Sequence, residues 1–501
     1  MERSSFELLA GVAALAVALY YYLTSTFYFW RSRGVVGPNP ELFFGNFKDV
    51  LFNKSHVSEY LMKLCQKYKD EPMFGIFARR TPILIVKDPE YVKNVLIKDF
   101  SAFCDRGVQI HEKIEPLSQH LLFLESERWK PLRANLSPTF TSGKLREMFY
   151  LLTECADHFE DFLETATAKN PEIECRDITA KFTTDVIGSC VFGLKMNALA
   201  EEESEFRRMG RKIFDISLLR MIKLRIKDAA PWLFSLLGPL MYDYELNGFF
   251  INTMAQTLKL RTESKVKRND FVDLLLEIKK NPDKLHHVEL TDTLITAQAF
   301  VFFAAGFETS STTISNALYA LALNQSVQDK LRDEIRVKLK ENNGKLTFDS
   351  IKSMKYMHKV FNETLRKYPP APTLIRCSMR EYTFPGTNVT IPKGTRVWIP
   401  VYGIHHDPNN YADPETFNPE RFDEENINER HPSCFLPFGD GPRNCIGARF
   451  ANYQTKVGLA TILKNYKVDV CNKTSIPYVI NPRAFLLAPK DGIVLKFIKL
   501  P

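Results

Sequence analysis

Pro437-Phe-Gly-Asp-Gly-Pro-Arg-Asn-Cys-Ile-Gly-Ala-Arg-Phe450 crowds three glycines and two prolines around one thiol, Cys445. An apolar, helix-favouring run follows, carried by Ala448, Phe450, Ala451, Val457, Leu459, Ala460, Ile462 and Leu463. The pattern predicts a tight loop that delivers a cysteine to a helix N-terminus. There the helix dipole and the first N–H donors favour the thiolate, which is a metal ligand. Zinc would recruit further ligands close by, yet no Cys or His lies within ten residues of Cys445, and Cys434 is eleven away.

A solitary thiolate points instead to an axial position on haem iron, where it favours O–O cleavage. Phe438, Gly441, Arg443, Cys445 and Gly447 match Phe-x-x-Gly-x-Arg-x-Cys-x-Gly position for position, and the loop resembles the haem-binding loop of the cytochrome P450 monooxygenases. Further motifs follow that family's order. Trp129 and Arg133 match its Trp-x-x-x-Arg, with spacing that puts both on one helix face; Pro131 fits if the helix begins near Ser126. Ala304-Ala-Gly-Phe-Glu-Thr-Ser310 resembles its oxygen-side motif, with Ser310 where Thr is commoner. Glu363-Thr-Leu-Arg366 and the arginine of Pro419-Glu-Arg-Phe422 resemble its charged triad. His405-His406-Asp407 suggests a metal at first sight, but adjacent histidines point apart and the segment resembles the family's His-x-Asp-Pro turn.

Along the chain, Phe6 to Trp30 holds one charge, Glu7, and as a helix would span roughly 37 Å, enough to cross a bilayer. Arg31 and Arg33 follow it, with only Arg3 in front, so the charge bias puts the amino terminus in the lumen and the rest in the cytosol. Gly34 to Pro40 then reads as a short, fairly stiff linker. Met73–Phe77 and Thr81–Val86 read as a hairpin, and Asp88-Pro89 as a helix cap. Residues 145–290 alternate amphipathic helices with charged connections at Glu201–Glu203 and Lys265–Arg268. The apolar, Pro- and Gly-broken stretch Ala229–Tyr242 fits either a second membrane contact or a buried turn. From Thr291-Asp292 an apolar pattern runs to Leu323, roughly 48 Å as a helix. Within it Thr309 lies where its hydroxyl can bond the Ala305 carbonyl, Ala305 and Gly306 are small enough to admit a flat macrocycle, and Phe303 and Ala304 are expected to face substrate.

The expected fold is mainly α with a small β region: a membrane anchor at 1–30, a linker at 31–40 and one haem-thiolate catalytic domain at 41–501. Nine scattered cysteines without Cys-x-x-Cys spacing imply neither a disulfide framework nor a zinc site. A formal charge of +8 without a long basic run argues against nucleic acid and for an anionic membrane or acidic protein partner.

The resemblance implies a monooxygenase that places one atom of dioxygen in an apolar substrate while the other leaves as water. It implies haem b (iron protoporphyrin IX) on Cys445, with Arg106, Trp129, Arg133, Arg376 and Arg443 at the propionates and Phe438 in the loop. Glu308 and Thr309 would steer protons. No Gly-x-Gly-x-x-Gly follows a strand, so NADPH acts indirectly, through a membrane-bound NADPH-cytochrome P450 reductase with cytochrome b5 as accessory donor. Arg128, Lys130, Lys144, Arg146, Arg449 and Lys456 would form the basic docking face. Overall the chain resembles microsomal insect members that detoxify plant compounds and insecticides, placing it in the endoplasmic reticulum membrane. Hormone or steroid synthesis shares every motif quoted. A haem-thiolate isomerase or dehydratase would keep Cys445 but tends to lose the acid–alcohol pair present here, and a silent haem-binding protein would consume no dioxygen.

Overall fold

The computed structural model describes every residue except 1, 195, 201–203, 216, 265–269, 282–284 and 286–287. The charged connections expected at 201–203 and 265–268 lie outside the described residues. The chain forms two compact units, and the 41–501 segment contributes to both. The first comprises Met1–Gly107, Ala371–Ala412 and His431–Asn444; the second comprises Val108–Pro370, Asp413–Arg430 and Cys445–Pro501.

In the first unit, helix α1 (Glu2–Thr24) contains a stretch, Ser5–Thr24, long and apolar enough to cross a bilayer. The helix stops short of Trp30. Thr24 Oγ1 donates to the Tyr20 carbonyl at 2.9 Å and Ser25 Oγ to that of Tyr22 at 3.1 Å, and Trp30 turns inward, where its indole N–H donates to the Ile76 carbonyl at 3.0 Å. The Gly/Pro segment is no free spacer either. The Val36 carbonyl accepts from the Gly75 N–H at 2.8 Å, and a Cβ on Gly37 would sit 2.0 Å from the Gly75 carbonyl oxygen.

The hairpin appears as expected: Met73–Ala78 runs antiparallel to Thr81–Val86, with Ala78 opposite Thr81. Thr81–Val86 pairs in parallel with Arg396–Ile399, which pairs antiparallel with Leu374–Cys377. The strands read as unbroken apolar runs because both faces are covered. Phe74, Ile76, Ile83 and Ile85 enter one core, and Met73, Phe77, Leu84 and Val86 the other. Asp88 caps the helix Pro89–Lys93, its carboxylate accepting from the Glu90 and Tyr91 N–H groups.

The second unit is the helix-rich part. It includes α2 (Ser126–Leu136), α3 (Cys175–Ile187), α4 (Asp292–Leu323), α5 (Lys355–Lys367) and α6 (Ala448–Asn465), with a small sheet ordered Glu172–Glu174, Val494–Lys499, Tyr466–Asp469. Thr291 caps α4 by accepting from the Leu294 N–H at 3.1 Å. Most of α4 from Leu294 to Ala322 is buried, so an apolar pattern all round is what its setting demands. Helix α3 lies against it. Thr179 Oγ1 donates to the Ser311 carbonyl at 3.2 Å, Thr183 Oγ1 to that of Phe307 at 3.0 Å, and a Cβ on Gly306 would meet Ile187 Cδ1 at 2.3 Å.

Candidate functional site

The sequence-derived candidates fall into both units. In the second unit Cys445 is exposed, two residues ahead of Gly447, which caps α6. Gly447 has open space where a Cβ would point, so no protein contact requires a glycine there. Trp129 and Arg133 share one face of α2, which begins at Ser126 as the Pro131 position required. Trp129 is buried, and Arg133 lies close enough to Cys445 for charge to matter. Burial lowers the Arg133 proton affinity, and a Cys445 thiolate raises it again.

On α4, Thr309 Oγ1 donates to the Ala305 carbonyl at 2.6 Å, as the spacing predicted. Ala305 is exposed in the midst of a buried helix. It, rather than Gly306, offers a flat ligand an open stretch of backbone, because Gly306 is consumed by packing on Ile187. Phe303 departs from expectation too. It is 0 % exposed and ringed by Phe192, Phe206, Phe250 and Phe307 at 6.2, 5.8, 5.4 and 5.0 Å, so it is core.

Glu308 carries an ion pair that no motif announced, to Arg176 on α3. Beside it, the Arg207 guanidinium bonds Asp177 at 3.2 Å. Burial lowers the Arg207 proton affinity, while Asp177 and Glu308 both raise it. The acid next to Thr309 is thus held by the Arg176 guanidinium, with the Arg207 charge near it and paired to the half-exposed Asp177.

The charged triad is present and buried. Arg366 Nε and Nη2 bond Glu363 at 2.7 and 2.9 Å with both side chains 0 % exposed, and Arg421 Nε approaches Glu363 Oε1 at 3.5 Å. The Asn418 N–H also donates to Glu363, at 2.9 Å.

In the first unit, strand pairing gathers three arginines. The Cys377 N–H donates to the Asp105 carbonyl at 2.8 Å, which brings Arg106 beside Arg376, and Arg106 Nη2 donates to the Arg443 carbonyl at 3.3 Å. Arg376 and Arg443 are 1 % and 3 % exposed. Burial first, and the Arg443 charge second, bring the Arg376 proton affinity down to about 10. Arg376 Nε is buried without a hydrogen bond among the described residues. Guanidiniums that desolvate and repel one another call for an anion, and a carboxylate such as a haem propionate fits this demand. Gly441 is dictated by close approach, since its φ is +71° and a Cβ would lie 1.9 Å from the Leu96 carbonyl oxygen. Phe438 is half-buried in the same loop, and His405 Nε2 accepts from the Leu436 N–H at 2.9 Å, fixing the segment leading into it.

Of the six basic residues expected on a docking face, Lys456 is misplaced. It is 4 % exposed, with Nζ 3.4 Å from His358 Nδ1. Arg128 pairs with Glu112 and Glu125, Lys144 with Glu147 and Arg146 with Asp349. Lys130 and Arg449 are exposed with no ion pair among the described residues.

The family described as Cytochrome P450 matches residues 35–497. A probable cytochrome P450 6a13 of Drosophila melanogaster is 42% identical over 490 residues, 98% of either chain. Cytochrome P450 6A1 of Musca domestica is 40% identical over 503 residues, covering 99% of this chain and 98% of its own. Cytochrome P450 6B7 of Helicoverpa armigera is 38% identical over 497 residues, 98% of this chain and 97% of its own.

Proposed function

Because the chain belongs to the cytochrome P450 family and is thereby a haem-dependent monooxygenase, we propose that it oxidises apolar xenobiotics, plant compounds and insecticides among them, with electrons from an NADPH-cytochrome P450 reductase. Similarity along nearly the full length to insect relatives supports the detoxifying reading over hormone synthesis. Cytochrome b5 would serve as accessory donor. Bound haem would supply reductive activation of dioxygen.

This chain's own residues would do the rest. Cys445, at the start of α6 with Arg133 near, would give the axial thiolate. In the first unit Arg106, Arg376 and Arg443 would donate to carboxylates, and Phe438 would contribute to the haem-binding loop. In the second, Trp129 and Arg133 present further donors on one face of α2. Thr309 would hold a water and pass a proton, and Glu308, held in place by Arg176, would help to order that water.

Helix α1 would anchor the chain in the endoplasmic reticulum membrane, amino terminus luminal and the remainder cytosolic. Trp232, Leu236 and Leu240, 71%, 70% and 82% exposed, support a lipid contact for Ala229–Tyr242.

The observation that carries the reading is the lone cysteine at a helix start within reach of the half-buried Arg133. Purified protein reconstituted with reductase and a panel of flavonoids, insecticides and steroids should form oxygenated products that depend on NADPH and dioxygen. Cys445→Ser should lose both the products and the red-shifted Soret band of the reduced carbon monoxide complex. Persistence of that band would overturn the assigned ligand, and turnover of steroids alone would overturn the detoxifying reading.

A further inference from the structure

Two histidines stand side by side at the end of the short helix Val401–His405, and the proposed reaction uses neither. They point apart. His406 Nδ1 turns back on its own helix and donates to the Tyr402 carbonyl at 2.9 Å. His405 is 0 % exposed and reaches another segment, where its Nε2 accepts from the Leu436 N–H at 2.9 Å and its ring stacks on that of Phe435 at 5.6 Å. An imidazole nitrogen that accepts carries no proton, so His405 is neutral, with its hydrogen on Nδ1.

The turn after it adds two more holds on the same segment. The Asn410 and Tyr411 N–H groups both donate to the Asp407 carbonyl at 3.0 Å, which closes the turn. From there the buried Tyr411 donates its hydroxyl to the Cys434 carbonyl at 3.0 Å. Asn410 is pinned through Nδ2, which donates to the Ile404 carbonyl at 3.1 Å, and its Oδ1 accepts from the Cys434 thiol at 3.2 Å.

What these side chains grip is backbone that no helix or strand serves. Phe435 and Leu436 lie just past the 3-10 turn Pro432–Cys434, and Leu436 is buried, where a peptide group needs a partner. Its N–H goes to His405, and its carbonyl accepts from the Gly439 N–H at 3.0 Å, with Gly439 at φ +68°. From that turn the chain runs without helix or strand through Phe438 and Arg443 to Cys445. Having no ladder of its own, the loop takes its starting point from the side chains that hold Cys434 and Leu436.

We propose that His405, backed by Asn410 and Tyr411, is a positioning residue for the haem-thiolate reaction. It fixes the peptide at which the cysteine loop starts, and so keeps Phe438, Arg443 and the Cys445 thiolate in the register that ligation of iron needs. His405 acts only through the Leu436 peptide. The proposal rests on the reading of Cys445 as the axial ligand.

The test uses the full-length holoenzyme. His405→Phe keeps a ring against Phe435 and removes the acceptor, whereas His405→Gln restores an acceptor without the ring. Two readings are taken: the share of bound haem that gives the red-shifted Soret band of the reduced carbon monoxide complex, and amide hydrogen exchange by mass spectrometry. His405→Phe should still bind haem, but its red-shifted share should fall several-fold and exchange over residues 434–444 should quicken several-fold relative to the rest of the chain. His405→Gln should stay near wild type in both. A full band with unchanged exchange in His405→Phe overturns the proposal. So does a Gln variant as impaired as the Phe variant, because the acceptor would then not be what the site supplies. Exchange quickened evenly along the chain makes His405 an ordinary packing residue and overturns it as well. If His405→Phe yields no folded protein, Tyr411→Phe decides in its place: losing one hydroxyl should move both readings the same way, and wild-type behaviour in both overturns the proposal. Cys445→Ser separates the two readings of the loop. It should lose the band while exchange over 434–438 stays slow; a band that survives there refutes the assigned ligand, and with it the catalytic role of His405, whereas slow exchange alone leaves the clamp itself standing.

Discussion

Thr309 and Lys456 show how single residues acquire their roles from what surrounds them. The 2.6 Å bond from Thr309 Oγ1 to the Ala305 carbonyl takes that acceptor in competition with the helix ladder, which leaves room for water at an exposed stretch of α4. Thr309→Ala should keep its haem but lose proton delivery. Product per NADPH should fall roughly tenfold while released peroxide rises, within what a positioned proton donor supplies. An unchanged ratio of peroxide to product would remove Thr309 from the reaction. Lys456 has no such exposure. Burial lowers its proton affinity to about 8, opposed by Glu334. In the unfolded chain a lysine keeps its proton to about 10.4, so between about 8 and 10.4 the unfolded state binds more protons and stability rises with pH. Below that window the cost of the buried ammonium is constant. Lys456→Met, which fills the same space uncharged, should stabilise the protein at pH 7 by up to about 3 kcal/mol and abolish the rise. Denaturant unfolding at pH 7 and pH 9.5 would show it.

At the scale of elements, α5 is tied to the Asp413–Phe422 segment by the Glu363 carboxylate, which takes Arg366, Arg421 and the Asn418 N–H within the second unit. With Glu363 and Arg366 fully buried, removing one partner strands a charge. Glu363→Ala should therefore cost about 3 to 5 kcal/mol, read by denaturant unfolding, whereas Glu363→Leu with Arg366→Met should recover part of that loss. If the single and double variants were equally unstable, packing rather than charge would be what the pair contributes. Helices α3 and α4 illustrate the converse. Their contact is made by hydroxyls on carbonyls and by a glycine under Ile187, features too small to stand out in an apolar pattern.

For the whole molecule, electron delivery depends on which charges remain available to a partner. Lys130 and Arg449 are exposed without ion pairs among the described residues, whereas Lys144 and Arg146 carry carboxylate partners. An acidic reductase surface would gain encounter rate chiefly from the uncompensated pair. Lys130→Glu with Arg449→Glu should slow reductase-driven turnover several-fold and flatten its dependence on ionic strength, while a peroxide-driven reaction is spared. Equal loss in both reactions would place the damage in the fold.

Local signals settled much of this protein. The Gly/Pro frame around Cys445 and the apolar run after it specify a thiol at a helix start. Thr291 and the long apolar pattern specify α4 to its last residue, and the two apolar runs on either side of Ala78-Arg79-Arg80 specify the hairpin. In each case the determining contacts lie within a few residues, so period and cap chemistry suffice. Burial was decided elsewhere. Phe303 became core, Gly306 a helix contact, Lys456 an interior cation and residues 26–47 a docked segment because of what covers them: Phe250, Ile187, His358 and the hairpin. An apolar or basic side chain states what it needs from its surroundings, but only the folded chain decides which neighbour, or which lipid, meets that need.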